Sequence, residues 1–297
     1  MASRINHLIS RNLITPPIWM KDNVFYEVMT GSVAYGCNEE NTSDKDVYAV
    51  CIPPKEIIFP HLSGHIDGFG SEPQRFEQYQ QHHIKDDVSE YDINVYNIVK
   101  YFDLCMKGNP NMVDTLFVPQ RCVLWCNQIG QRIRDNRKLF LSKISYHKFR
   151  GYAYSQLHAI KTRTPLETSK RREKYDQFGF DVKYAYHVVR LCLECEQILS
   201  EGEITLDRDR EIYKAIRRGD WSQEKITEFF EEKEKYLERL YETSSVVPYK
   251  YDEEAIKSLL IECLEMHYKT LPLPKELNKA KLLEKVLELY DMVKSSS

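Results

Sequence analysis

The sequence lacks any long apolar run. Hydrophobic residues make up 42% of its 297 residues, but they occur in stretches of only a few. A transmembrane helix needs about 18 consecutive apolar residues or more. The segment Met1 to Ile5 also lacks the apolar core of a secretory signal. We therefore expect a protein of the cytoplasm with no membrane partner.

Zinc-binding sequence patterns are also missing. The eight cysteines include two closely spaced pairs, Cys122 with Cys126 and Cys192 with Cys195. A structural zinc site needs four ligands, and no histidine is placed to complete a set with either pair. Both pairs follow a helical pattern, which favours buried, reduced thiols in the protein core.

An overall basic charge is absent as well. The formal net charge is −3, so no positive field covers the whole molecule as in many nucleic-acid-binding proteins. The stretch 161–174 is the exception, with six basic residues against two acidic ones. It is either a path for a nucleic-acid backbone or a charged linker between helices.

The hydrophobic pattern divides the chain into two parts. Apolar or alternating segments predict three strands, at 24–30, 46–52 and 89–96. The polar stretch 60–87 between the last two, which includes His82 and His83, is interpreted as a loop or an irregular hairpin. Helical periodicity follows at 97–107, 121–136, 145–162, 180–200, 208–218, 222–242, 252–268 and 275–293. We predict an α+β protein with a catalytic core at 1–130 and a helical domain at 131–297.

One motif links the first two predicted strands. Gly31-Ser32 ends the first, and Asp44-Lys45-Asp46 opens the second. Acids two residues apart on a strand point to the same face. Adjacent carboxylates repel each other unless a cation lies between them, and Mg²⁺ prefers oxygen ligands. The glycine lets a phosphate approach the backbone, and the Ser32 hydroxyl can bind a phosphate oxygen.

A third carboxylate would complete a site for two metal ions. Asp92 in the third predicted strand is the candidate, and the nearby Asp87 and Glu90 are alternatives. Further along the chain, Lys183, His187 and Arg190 have helical spacing and fall on one face. Such a stripe suits the phosphates of a nucleotide or nucleic acid, although an ordinary solvated helix face has the same pattern.

These motifs resemble the signature of the polymerase-β nucleotidyltransferase superfamily, namely residues 31–36 followed by residues 43–46. Within it, the chain is similar to a bacterial and phage group associated with RNA repair and RNA ligases. Asp92, the segment Gly108 to Asn111 and the Lys183, His187, Arg190 stripe also match that group. By composition the segment Gly108 to Asn111 is a turn, with Asn109 and Asn111 as turn formers. The resemblance covers about residues 10–205, and the acidic pair Glu39-Glu40 between the motif halves departs from what a phosphate-holding loop would contain.

The resemblance implies a mixed β-sheet flanked by helices and followed by a helical region. It implies that the three acids Asp44, Asp46 and Asp92 bind Mg²⁺ or Mn²⁺ and carry the catalysis. It also implies that the nucleotide, for example ATP, is bound by Gly31, Ser32, Tyr35, Ser43, Lys183, His187 and Arg190.

The expected activity is transfer of a nucleoside monophosphate from an NTP to an acceptor hydroxyl, at an RNA or DNA 3′ end. Two alternatives stay open from the sequence. One is nucleotidylation of a protein or a small molecule, and the other is a catalytically silent protein that only binds nucleotide. Base preference, templating and oligomeric state leave no trace in the sequence.

Overall fold

The fold is built on one mixed β-sheet. The computed structural model describes residues 3–38, 44–59, 67–68, 70, 75–167 and 171–269. In these ranges the strands are β1 (Val24–Met29), β2 (Asp44–Cys51), β3 (Gln78–Lys85), β4 (Glu90–Asn97) and β5 (Val123–Cys126). Their order in the sheet is β3-β4-β2-β1-β5. Strands β2 and β4 are parallel, and the other neighbours are antiparallel.

Helices flank and follow the sheet. Those of the first half are α1 (Arg4–Ser10), α2 (Met20–Asn23), α3 (Gly31–Ala34), α4 (Lys55–Ile58), α5 (Ile98–Met106) and α6 (Pro110–Phe117). Those of the second half are α7 (Gln128–Asp135), α8 (Ile144–Thr162), α9 (Arg172–Phe178), α10 (Val182–Glu201), α11 (Arg210–Arg217), α12 (Gln223–Thr243) and α13 (Glu253–Lys269). The predicted α+β class is thus confirmed. Nowhere in the described ranges does a helix have the length and apolar character needed to cross a bilayer.

Alternation along β2 separates the two faces of the sheet. Val47, Ala49 and Cys51 are buried in a cluster with α1 and α2. The intervening Asp46, Tyr48 and Val50 point to the opposite face, because successive side chains of a strand alternate. Asp46, the described candidate site residue of β2, therefore lies on the face away from α1.

Strand β1 lies between β2 and β5 and is buried over almost its whole length. It nevertheless carries a fully buried acid, Glu27. This carboxylate accepts hydrogen bonds from the Ser3 hydroxyl and from the backbone N–H groups of Arg4, at 2.7 Å, and Ile5, at 3.3 Å. Burial raises the pKa of Glu27. The acid fixes the first turn of α1 against the sheet, because buried polar groups are stable only when hydrogen-bonded.

Helix α10 is the centre of the second half. Asp181 caps its start by accepting from the Lys183 N–H at 2.8 Å, and Gly202 ends it in the left-handed conformation. It packs against α8, α11 and α12. One cluster of buried residues runs from the sheet into these helices. The proposed division into domains at residue 130 stays a prediction.

Three local expectations were wrong. Residues 78–85 form the edge strand β3, which pairs with β4 in a hairpin with a bulge. The irregular-hairpin interpretation of this stretch is therefore confirmed, and the loop interpretation, which included His82 and His83, is wrong. Residues 123–126 form β5 and not the start of a helix, so Cys126 ends a strand. Asn109 and Pro110 begin a helix, with Asn109 as its cap. The predicted helix 275–293 lies outside the described residues.

Candidate active site

The two halves of the phosphate and carboxylate motif meet at the ends of β1 and β2. The Thr30 N–H donates to the carbonyl of Asp46 at 2.9 Å. Gly31 follows with φ of +64°, the left-handed region that favours glycine. A Cβ at this position would lie well inside van der Waals contact with Oδ2 of Asp46. Only glycine therefore leaves room for the Asp46 carboxylate at this turn.

Two of the predicted acids are neighbours across the sheet. In the parallel pairing of β2 with β4, Asp46 stands opposite Asp92, and Asp44 stands opposite Glu90. Residues opposite each other in register point to the same face. Asp46 is exposed and Asp92 half-buried. The Asp44 side chain and Ser43 lie outside the described residues.

Carboxylate oxygens on adjacent strands are the donor set that a hard divalent cation takes. Oδ2 of Asp46 lies against the Gly31 turn, so a cation held by Asp46 and Asp92 would be next to that turn. Among the described side chains, no group of three or more His, Cys, Asp or Glu residues is close enough together to hold a metal. The described part therefore supplies two neighbouring carboxylates of the predicted three.

A bulge in the neighbouring strand β3 places a hydrogen-bond donor against Asp92. The register of β3 on β4 shifts between Gln81 and Ile84, so that His82 and His83 together stand opposite Asp92. The His83 N–H donates to Oδ1 of Asp92 at 2.9 Å, and Nδ1 of His82 lies 3.4 Å from the same oxygen. His83 has a φ of +55°. The bulge thus turns a backbone donor toward the predicted catalytic acid.

A small cleft opens beside these carboxylates. It has a volume of about 120 Å³ and is lined by Thr30, Gly31, Tyr35, Asp46, Tyr48 and Asn111. Asn111 was interpreted from the sequence as a turn former, but it lies in the first turn of α6 and lines the cleft. The sequence signal that could have shown this is its position two residues after Asn109, a residue type that commonly caps a helix.

Tyr35 lines the cleft but is almost fully buried. Its hydroxyl donates to Oδ2 of Asp114 at 2.7 Å. Burial raises the pKa of Tyr35 well above its usual value, and the nearby Arg190 opposes that shift only in part. The phenol therefore keeps its proton and acts as a donor inside the protein.

The Lys183, His187, Arg190 stripe runs from solvent into the core. Lys183 is exposed, His187 is half-buried, and Arg190 is completely buried. The Arg190 guanidinium donates to Asp114 at 2.6 Å and to Glu194 at 2.8 Å. It therefore occupies an internal ion cluster behind Tyr35, apart from the surface on which Lys183 lies. Its predicted contact with a nucleotide stays a prediction.

His187 lies in strongly positive surroundings. Its Nδ1 is buried and has no hydrogen-bond partner among the described residues. Burial lowers the pKa of His187 well below its usual value, and Arg190, Lys183, Arg217 and Arg171 lower it further. The imidazole is therefore neutral at physiological pH.

The residue before His187, Tyr186, is influenced by charges on both β2 and α11. Burial raises the pKa of Tyr186, the Asp46 carboxylate raises it further, and the Arg217 guanidinium lowers it. Both charges therefore act on the same phenol. That Lys183, His187 and Arg190 form one site with Asp46 stays a prediction.

A glycine-bearing turn, carboxylates on adjacent parallel strands and a cleft beside Asp46 are the features of a polymerase-β-type nucleotidyltransferase core. The chain belongs to the RNA repair pathway DNA polymerase beta family (RlaP), whose sequence profile matches residues 5–278. No curated protein matches the sequence. A search of solved structures finds the nucleotidyltransferase-like protein from Exiguobacterium sibiricum 255-15, at 10% identity and a TM-score of 0.29, covering 97% of this chain and 88% of that one.

Proposed function

We propose that the protein transfers a nucleoside monophosphate from an NTP to the hydroxyl at an RNA or DNA 3′ end. The observation that carries the proposal is the pairing of Asp46 with Asp92 beside the Gly31 turn. Family membership supports a transferase acting in RNA repair. That the acceptor is a nucleic acid is the more specific part of the proposal.

Asp44, Asp46 and Asp92 would hold a divalent cation, Mg²⁺ or Mn²⁺. When bound, such an ion neutralises charge on the phosphate oxygens of the NTP. Asp46 would keep its position through the Thr30 N–H on its own backbone carbonyl. Asp92 would keep its position through the His83 N–H. Fixed carboxylates lower the cost of organising the site during the reaction.

The phosphates of the NTP would lie along the Gly31 turn. Gly31 exposes its backbone to an incoming oxygen, and Ser32 and Ser43 contribute hydroxyl donors. Tyr35 would support the turn from below, because its hydroxyl is already engaged with Asp114. Lys183 and His187 would contact phosphate oxygens from α10, and Arg190 would act through Tyr35.

The reaction joins the acceptor oxygen to the α-phosphorus. That O–P bond forms while the bridging P–O bond between the α- and β-phosphates breaks, and pyrophosphate leaves. Asp92 would accept the proton of the acceptor hydroxyl. A positioned general base accelerates such steps by about 100- to 10,000-fold.

The test is a transfer assay with each of the four NTPs labelled at the α-phosphate. The protein is incubated with Mg²⁺ or Mn²⁺ and a mixture of RNA and DNA strands that have free 3′ hydroxyls. Labelled strands one or more nucleotides longer are the expected result. Label on the protein itself or on a small molecule would contradict a nucleic-acid acceptor, and nucleotide binding without any transfer would contradict catalysis.

A further inference from the structure

A large cationic groove lies beyond the candidate active site. Its volume is about 900 Å³, and Lys174 of α9 and Lys214, Arg217 and Arg218 at the end of α11 line it. Asp220 is the one acid among its lining residues, and it pairs with Arg218 at 2.8 Å. Lys214 pairs with the exposed Glu211 at 3.1 Å, and the lining residues together keep a positive charge. We call this groove the basic cleft. Its positive charge is local, because the whole chain carries a net charge of −3.

The basic cleft begins where the phosphate-binding turn ends. Cys37, which lines it, donates its N–H to the Ser32 carbonyl at 2.9 Å. Arg217 Nη1 lies 4.0 Å from the Cys37 sulfur. Arg217 and Asp46 also act on the pKa of the same buried phenol, Tyr186, in opposite directions. The cleft and the carboxylates are therefore neighbours.

Packing holds the two regions together. Arg121 joins Asp207 at 2.7 Å and donates to the carbonyls of Val33 and Ala34 in α3, at 3.4 and 3.3 Å. A Cβ on Gly36 would touch Arg210 and Asp207 at 3.4 Å. Residues 207–210, which lead into α11, therefore pack directly against the turn that follows Gly31-Ser32.

Positive charge extends from the cleft along α10. The pKa of His187 is lowered by burial and then by four cations, two of which are Lys183 and Arg217. For Tyr184, burial acts to raise the pKa, but hydrogen bonds from Arg163 and Arg171 outweigh it, and the pKa is lowered. The Arg217 guanidinium lies 5.6 Å from the centre of the Tyr186 ring, and that of Arg171 lies 5.2 Å from the centre of the Tyr184 ring. Cations therefore lie beside the first turns of α10 as well as in the cleft.

We propose that the basic cleft binds the phosphodiester backbone of a single-stranded RNA, and this inference rests on the proposed function because that strand is the acceptor. A single strand carries one charge per nucleotide, so several cations along one path suit it better than a compact ligand. The half-buried ring of Phe178 in the wall of the cleft adds a surface on which a base can stack. The NTP itself has a separate place at the Gly31 turn.

The experiment measures RNA affinity apart from catalysis. A short fluorescent single-stranded RNA is titrated with the full chain at several salt concentrations, without NTP or divalent metal. Each phosphate contact to a single strand contributes about −0.7 to the slope of log affinity against log salt. Four contacts predict a slope of about −2.8.

The double variant Lys174→Gln with Arg218→Gln removes two of the four charges. We expect its slope to fall to about −1.4 and its affinity at 0.1 M salt to drop about 25-fold. Arg218→Gln alone should lose about 5-fold, which keeps the test valid if the double variant does not fold. The control, Lys235→Gln with Lys257→Gln, removes two exposed charges from α12 and α13 and should bind like the native protein.

Three results would overturn the proposal: no measurable RNA binding by the native chain, equal affinity and slope in the double variant, or a loss of NTP affinity with RNA affinity retained. The last result would assign the cleft to the triphosphate. Native protein that binds RNA with the expected slope but transfers nothing would refute the proposed function and leave the cleft assignment intact.

Discussion

The guanidinium of Arg190 stacks on the ring of Tyr35, with 4.4 Å between the guanidinium carbon and the ring centroid. Both side chains also donate to the same oxygen of Asp114. Through this contact the middle of α10 supports the turn that carries Gly31 and Ser32. Replacing a buried ion pair with apolar residues is often neutral, whereas removing one partner strands a charge. The cluster therefore fixes a geometry more than it adds stability.

Arg190→Met should be strongly destabilising. It leaves Asp114 and Glu194 buried without their cation, and such changes cost about 3–5 kcal/mol. Chemical denaturation measures this loss. Lys183→Met is the matched control on the exposed part of the same helix and should change the free energy of unfolding by about 0.5 kcal/mol or less. A similar small change in Arg190→Met would show that the cluster is dispensable.

Gly31→Ala should abolish transfer while the protein still folds. The added Cβ meets Asp46 Oδ2, and the left-handed backbone costs an L-residue about 1–2 kcal/mol. Gly179→Ala has the same backbone strain, with φ of +80°, but its Cβ would enter open space. Comparable stability losses with activity lost only in Gly31→Ala are the expected outcome. Equal transfer activities in the two variants would show that the active site does not require Gly31.

His187 should give the protein a distinct acid sensitivity. Its pKa in the folded protein is well below the usual value, so below about pH 6.5 the unfolded chain binds a proton that the native state does not. Stability therefore falls as pH falls through this range. As the pH falls from about 6.5 to about 5, the native protein should therefore lose more stability than His187→Asn does.

Urea titrations at several pH values measure that difference. His158→Asn, which removes an exposed imidazole from α8, is the control and should follow the native curve. Parallel curves for the native protein and His187→Asn would contradict a buried neutral imidazole at this position.

The bulge opposite Asp92 should tolerate glycine. His83→Gly keeps the N–H that binds Asp92 and suits the φ of +55°. We expect transfer activity within a few-fold of the native protein and a change in stability of about 1 kcal/mol or less. His83→Val has a side chain disfavoured at positive φ and should lose both stability and activity. Loss of activity in His83→Gly with normal stability would show that the His83 imidazole, and not its N–H, positions Asp92.

The fold could be predicted from sequence where the pattern is strong. Strands β1, β2 and β4 contain apolar or alternating residues that the core requires, and their predicted positions agree with the structure to within two residues. Strand β3 was left open between a loop and an irregular hairpin, because it lies at the sheet edge, where five of its eight residues are exposed. Strand β5 has only four residues and precedes a helix directly, so its pattern merged with that of α7.

The site was predictable only where neighbours in the sequence are neighbours in space. Asp44 and Asp46 share strand β2, as the sequence pattern predicted. Helical spacing placed Arg190 and Lys183 on one face of the helix. How deeply each side chain is buried depends on the elements that pack against that face. Asp114 lies 76 residues from Arg190 in the chain, and no local pattern shows that this carboxylate draws the guanidinium into the core.

The central claim is that the carboxylates on β2 and β4 catalyse transfer of a nucleoside monophosphate. Its most direct test compares NTP labelled at the α-phosphate with NTP labelled at the γ-phosphate, for the native protein and for Asp46→Asn with Asp92→Asn. We expect the native protein to move only the α label to the RNA 3′ end and to release the γ label as pyrophosphate, and we expect the double variant to move neither. Transfer of the γ label, or undiminished α transfer by the double variant, would contradict it.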